Sequence, residues 1–140
     1  MKPRIRATLL LFFALLYSIA ALSQVPLEGR DAAKVNHILG GPDYSTANGA
    51  CVEGDRMIVG LMRMPAGTGA EAHSHPNEQW IYILQGTFRA KIGDQEIEAK
   101  PGSVVYVPSN VVHSGKATPD ADVVFFTCKD ASHSLHGIKA

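Results

Sequence analysis

GTGAEAHSHPNEQWIYILQG, running from Gly67 to Gly86, sets His73 and His75 one residue apart and Gln79 four positions beyond the second histidine. An extended chain projects alternate side chains onto one face. His73, His75, Gln79, Ile81 and Ile83 would then share a face, provided the Pro76-Asn77 corner preserves the parity. Two imidazoles and an amide oxygen on that face are neutral donors suited to a divalent metal. A fourth comes from elsewhere in the chain: His113, at the end of KPGSVVYVPSNVVH. Glu78 competes with Gln79 for the same role, but its parity turns it away from His73 and His75.

Around this stretch, strand signals recur at regular intervals. MIVGLMRM (57–64) leads into the turn PAGTGAE, and WIYILQ (80–85) ends at Gly86. TFRAKI (87–92) follows as its hairpin partner; GDQ turns the chain into EIEAK, PG turns it into SVVYVP, and VVFFTC (123–128) comes last. Short strands broken by Gly, Pro and Asp, without a convincing helix between them, predict an all-β antiparallel sandwich or barrel. A chain of 140 residues, 46% of them apolar, suffices for one compact domain with a real core. Its formal charge is zero and it carries no basic stripe, which argues against a nucleic-acid partner.

The spacing resembles the first motif of the cupin family, G(X)5HXH(X)3–4E(X)6G, with Gly67, His73, His75, position 79 and Gly86 in frame. The segment from Pro101-Gly102 through Pro108 to His113 is similar to the family's second motif. This resemblance, spanning about residues 57 to 127, implies an antiparallel cupin jelly-roll β-barrel. It also implies a divalent metal ion (iron, manganese, nickel or zinc) held by His73, His75, Gln79 and His113. The chain departs from the motifs twice: Gln79 stands at the glutamate position, and Ala117 where an asparagine is often found. HPNEQ is similar to a variant seen in cupins of the pectin-degradation ring-opening type, which implies isomerase or lyase chemistry on a small organic or sugar acid. An iron-type cupin dioxygenase and a non-catalytic metal- or ligand-binding module remain alternatives. With glutamine replacing glutamate, proton transfer must use another group, a metal-bound hydroxide or the substrate itself. Glu78, Tyr82, Tyr106 and Arg63 are the candidates near the barrel mouth, with Arg63 read as an anion-binding or surface residue. No catalytic residue is assigned. Trp80 and Tyr82 alternate away from the ligands, toward packing between sheets or subunits.

Residues 1–23 read as a secretory signal: Lys2, Arg4 and Arg6 precede the apolar run Thr8–Leu22, and Ala21-Leu22-Ser23 resembles a small-x-small cleavage site. The run is about 15 residues, short of the roughly 20 that cross a bilayer. A periplasmic or secreted protein is therefore expected, with no stable membrane span after cleavage. Residues 24–56 form an N-terminal arm with one short strand covering a sheet edge, residues 57–128 the barrel, and 129–140 a tail. His133 and His136 in the tail are read as polar surface residues. Cys51 and Cys128 are either a disulfide or two separate core residues. The expected partner is a small-molecule substrate, with a homodimer left open.

Overall fold

The computed structural model describes residues 35–140, with side chains from Gly40 onward. The signal segment and the first part of the arm lie outside the described residues. Eleven strands follow in order among those described: β1 (Val35–Leu39), β2 (Asn48–Glu53), β3 (Met57–Met64), β4 (Gly69–Ser74), β5 (Gln79–Gln85), β6 (Phe88–Ile92), β7 (Gln95–Ala99), β8 (Val104–Val107), β9 (His113–Ala117), β10 (Val123–Asp130) and β11 (Ile138–Lys139). They form two antiparallel sheets, one in the order β1-β2-β3-β10-β5-β8 and the other β11-β4-β9-β6-β7. The all-β cupin architecture expected from the sequence is the one observed.

Period-two alternation builds the core. Ile58, Met62 and Met64 of β3, Ile81 and Ile83 of β5, Val105 and Val107 of β8, and Val123 and Phe125 of β10 all point inward. Phe88, Ala90, Ala99 and Ala117 face them from the smaller sheet, and the Phe88 and Phe125 rings meet 6.5 Å apart across the gap. Small residues on one sheet opposite large ones on the other let the layers interdigitate.

Three expectations need correction. WIYILQ and TFRAKI are not hairpin partners: β5 pairs with β10 and β8, whereas β6 pairs with β7 and β9. Gly86, at φ +77°, steps the chain from one sheet into the other, and a Cβ there would meet the Asp122 carbonyl. The arm contributes two strands rather than one, with β2 pairing along the whole of β3 and β1 forming the new edge. The second half of PAGTGAE, expected as turn, opens β4.

No disulfide joins the two cysteines. Cys51 of β2 sits opposite Gly60, and Cys128 of β10 sits opposite Val59, on either side of β3. Neighbouring residues of a strand face opposite ways, so one thiol is inside the barrel and the other outside. Two strand spacings, about 9.5 Å, also exceed the Cα separation a disulfide spans. Thiol labelling of the denatured, unreduced protein should find two free cysteines; a blocked pair would contradict this register.

Candidate metal centre

His73 lies near the end of β4 and His113 begins β9, directly across from it in the pairing register. His75 follows β4 in the corner, and Gln79 opens β5 in the other sheet. The single continuous face expected from parity is therefore replaced by two sheets facing each other across the barrel. His73, His75 and His113 are all buried, each offering a ligand atom within 4.8 Å of the others. Their rings confirm the clustering, with His113 4.2 Å from His73 and 4.8 Å from His75.

Backbone carbonyls orient every ring. Nδ1 of His73 lies 2.7 Å from the Glu71 carbonyl, that of His75 2.7 Å from the Asn77 carbonyl, and that of His113 2.9 Å from the Val111 carbonyl. A carbonyl only accepts, so each Nδ1 carries the proton and donates, leaving the Nε2 lone pair for a ligand. His113 Nε2 is buried without a partner.

The contact between His75 and Gln79 is the most telling. Thr127 donates its hydroxyl proton to the Trp80 carbonyl at 3.2 Å and accepts from Gln79 Nε2 at 2.8 Å. That chain fixes which end of the amide is oxygen. Gln79 Oε1 then faces the unprotonated His75 Nε2 at 3.0 Å, two acceptors with no hydrogen between them. Two donors to a common cation with bonds of about 2.1 Å at right angles lie about 3.0 Å apart. The residues fit a metal ion.

The electrostatics agree. Burial, with smaller contributions from neighbouring charge, lowers the pKa of His73 and of His75 to about 4, and burial also lowers that of His113. The imidazoles are neutral at physiological pH, the form that binds metal. Because the folded values lie below the unfolded one, stability is complete above about pH 6.5 and is lost as pH falls toward 4. Urea midpoints of chelator-treated protein should decline across that window, and a flat profile would contradict the burial of neutral imidazoles.

Four residues around the histidine cluster were not anticipated. Lys129 is 4% exposed, lines the same cavity as His73, Gln79 and His113, and donates to the Leu135 carbonyl at 2.9 Å. Burial lowers its pKa to about 8. Thr127 orients the amide of Gln79. Asn77, with no exposed surface, holds His75 through its own carbonyl and the tail through its side chain. Tyr44 stacks on His73 at 4.2 Å and accepts the Gly137 amide at 2.7 Å. Alternation through VVFFTCKD, which puts Thr127 and Lys129 in phase with buried Val123 and Phe125, was the available signal.

The candidates expected near the barrel mouth lie elsewhere. Glu78 is exposed and accepts the Tyr106 hydroxyl at 2.8 Å, on the outer face that Trp80 and Tyr82 share. Arg63 is also exposed and pairs with Asp122 at 2.6 Å. Among the described residues, the three-histidine group excludes His133 and His136, which remain in the tail.

A model of the cupin domain matches residues 60–128. This chain belongs to the cupin superfamily. Among solved structures, this cupin resembles a cupin-like protein of Thermotoga maritima, at 26% identity and a TM-score of 0.60, covering 74% of this chain and 84% of that one. It also resembles the polyketide cyclase RemF of Streptomyces resistomycificus (18%, TM-score 0.62, covering 76% and 80%). A third likeness is to a predicted oxalate decarboxylase of Thermotoga maritima (18%, TM-score 0.59, covering 71% and 96%). An uncharacterized protein of Streptomyces coelicolor is 33% identical over 57 residues, 41% of this chain; the match spans 54% of that relative's length.

Proposed function

We propose that this cupin is a metal-dependent enzyme of isomerase or lyase type acting on a small organic or sugar acid. The observation that carries the reading is the pair of acceptors, Gln79 Oε1 and His75 Nε2, held 3.0 Å apart beside the unpartnered His113 Nε2. His73, His75, Gln79 and His113 would hold the ion. All four are neutral, so a divalent metal would keep its full charge and supply Lewis-acid polarisation of a substrate carbonyl. The protein's own part is to fix the imidazoles through their Nδ1 carbonyl partners, fix the amide through Thr127, and exclude water with Ile81, Val107 and Phe125. A polyketide cyclase and a predicted oxalate decarboxylase have similar folds, which supports an enzymatic reading by analogy.

One observation favours a second reading. Arg63, Glu78, Tyr82 and Tyr106 all face outward, so no carboxylate or phenol from that set reaches the cavity as a base. An iron-type dioxygenase, or a module that holds metal or ligand without turnover, requires no such base. The separating experiment is elemental analysis of untagged protein, followed by candidate acids with product and oxygen monitored together. Conversion without oxygen supports the isomerase or lyase, conversion coupled to oxygen uptake the dioxygenase, and tight binding without conversion the module.

We further propose export to the periplasm or the medium, a small-molecule partner and no nucleic acid. Intact mass after expression in a bacterial host should place the mature N-terminus near Gln24; full-length soluble chain would overturn export. A homodimer, if formed, would use the outer aromatic face, where Trp80 and Tyr106 lie 4.4 Å apart.

A further inference from the structure

We propose that Lys129 is the anion-recognition residue of the cavity, placing the carboxylate of a compact acid between its ammonium group and the histidine cluster. The proposal rests on the metal-site reading above and adds to it the charge of the ligand and the residue that selects it.

Lys129 is nine-tenths buried and more, yet among the described residues it has no ion-pair partner. Its Nζ has three protons and makes one hydrogen bond, to the Leu135 carbonyl. A buried ammonium in that state is costly unless a ligand completes it. The charged and titratable groups near it supply no such counter-ion. Asp130 is the next residue along β10; its carboxylate turns away to accept the Glu78 and Ser132 amides at 2.7 and 2.9 Å. Cys51 stays a thiol, its pKa raised by burial. His73, His75 and His113 are neutral. Lys129, His73 and His113 line a cavity of about 70 Å³ whose apolar walls include Met62, Ile81 and Phe125. That is room for several waters, and so for a carboxylate group. A larger acid would enter by its carboxylate end.

A structural role, with Lys129 serving only to cap Leu135, is the competing account, and the two differ in what a neutral replacement does. Lys129→Met keeps length and apolar bulk while deleting the charge. If the ammonium awaits an anion, this variant should melt at or above the wild-type temperature and lose ligand. If it is a structural cap, the variant should melt lower and bind ligand unchanged. Cobalt-loaded protein would be titrated with acetate at constant ionic strength, following the cobalt visible spectrum, with acetamide as the neutral isostere. Acetate should bind and acetamide should not. Lys129→Met should weaken acetate about ten- to hundredfold at equal cobalt content, and Lys129→Arg should restore most of it.

Cobalt-loaded wild type that ignores acetate, or Lys129→Met that binds it as well as wild type, overturns the proposal and leaves the metal site standing. Failure of wild type to take up cobalt sinks the metal reading instead. The metal-free protein then decides the role of Lys129: acetate should raise the melting temperature of wild type and not of Lys129→Met, and equal shifts would overturn it. Should Lys129→Met not fold, Lys129→Gln takes its place in every arm.

Discussion

Replacing His113 with alanine is expected to strip the protein of its metal, lowering affinity by more than about a hundredfold. Loss of a ring that merely orients a ligand already costs ten- to a hundredfold, and His113 is placed to bind directly. Its Nε2 has no other use, being buried and unpartnered. His73→Ala and His75→Ala should behave alike. Gln79→Ala should cost less, because a neutral amide is the weakest donor of the four. Gln79→Glu should bind more tightly, since a carboxylate adds charge attraction at the same reach, and any turnover depending on the ion's acidity should fall with it. Glu78→Ala is the control, for its carboxylate engages Tyr106 on the outer face. Elemental content and metal affinity would be compared across variants matched for folding by circular dichroism. Full metal in His113→Ala, or loss in Glu78→Ala with retention in Gln79→Ala, would refute the assignment.

Asn77→Ala should produce the largest loss of stability of any single polar change near the site, about 2–4 kcal/mol. Its amide nitrogen approaches three carbonyls of the tail, those of Asp130, His133 and Ser134, at 2.9, 3.2 and 3.4 Å. Three acceptors around one nitrogen fix the amide orientation, and removing it leaves those carbonyls without their donor. The tail would loosen from the corner that carries His75. Urea denaturation measures the first effect, and faster hydrogen exchange over residues 130–137 measures the second. Unchanged exchange there would mean the tail is held by Tyr44 and β11 alone.

The histidine cluster was readable because spacing, turns and histidines coincide: Gly67, His73, His75 and His113 sit at motif positions that few sequences satisfy by chance. The fold class was readable because MIVGLMRM and VVFFTCKD alternate cleanly. What could not be read was which strand lies beside which. Gly86 marks a turn in either reading, and only pairings with distant partners decide between a hairpin and a passage to the other sheet. The opening of β4 read as turn because Gly69, Ala70 and Glu71, small or exposed, give no apolar alternation before His73. Lys129 escaped notice for a different reason. It follows the last apolar residues of its strand, where a lysine is ordinarily a solvated end, and its burial depends on a tail folding back over it.

The order of the larger sheet has a consequence in time. β10 lies at its centre, hydrogen-bonded to β3 on one side and β5 on the other, with Val123 opposite Met64. It also comes after every other strand of its sheet in the chain. Until it emerges, β3 and β5 are unjoined edges and the barrel cannot close, however long the earlier strands have had to search. Closure must bridge dozens of residues at once, which places this chain among the slow folders. Until then the free edges of β3 and β5 are open to pairing with other chains, so this late closure is the step at which the folding chain is exposed to aggregation.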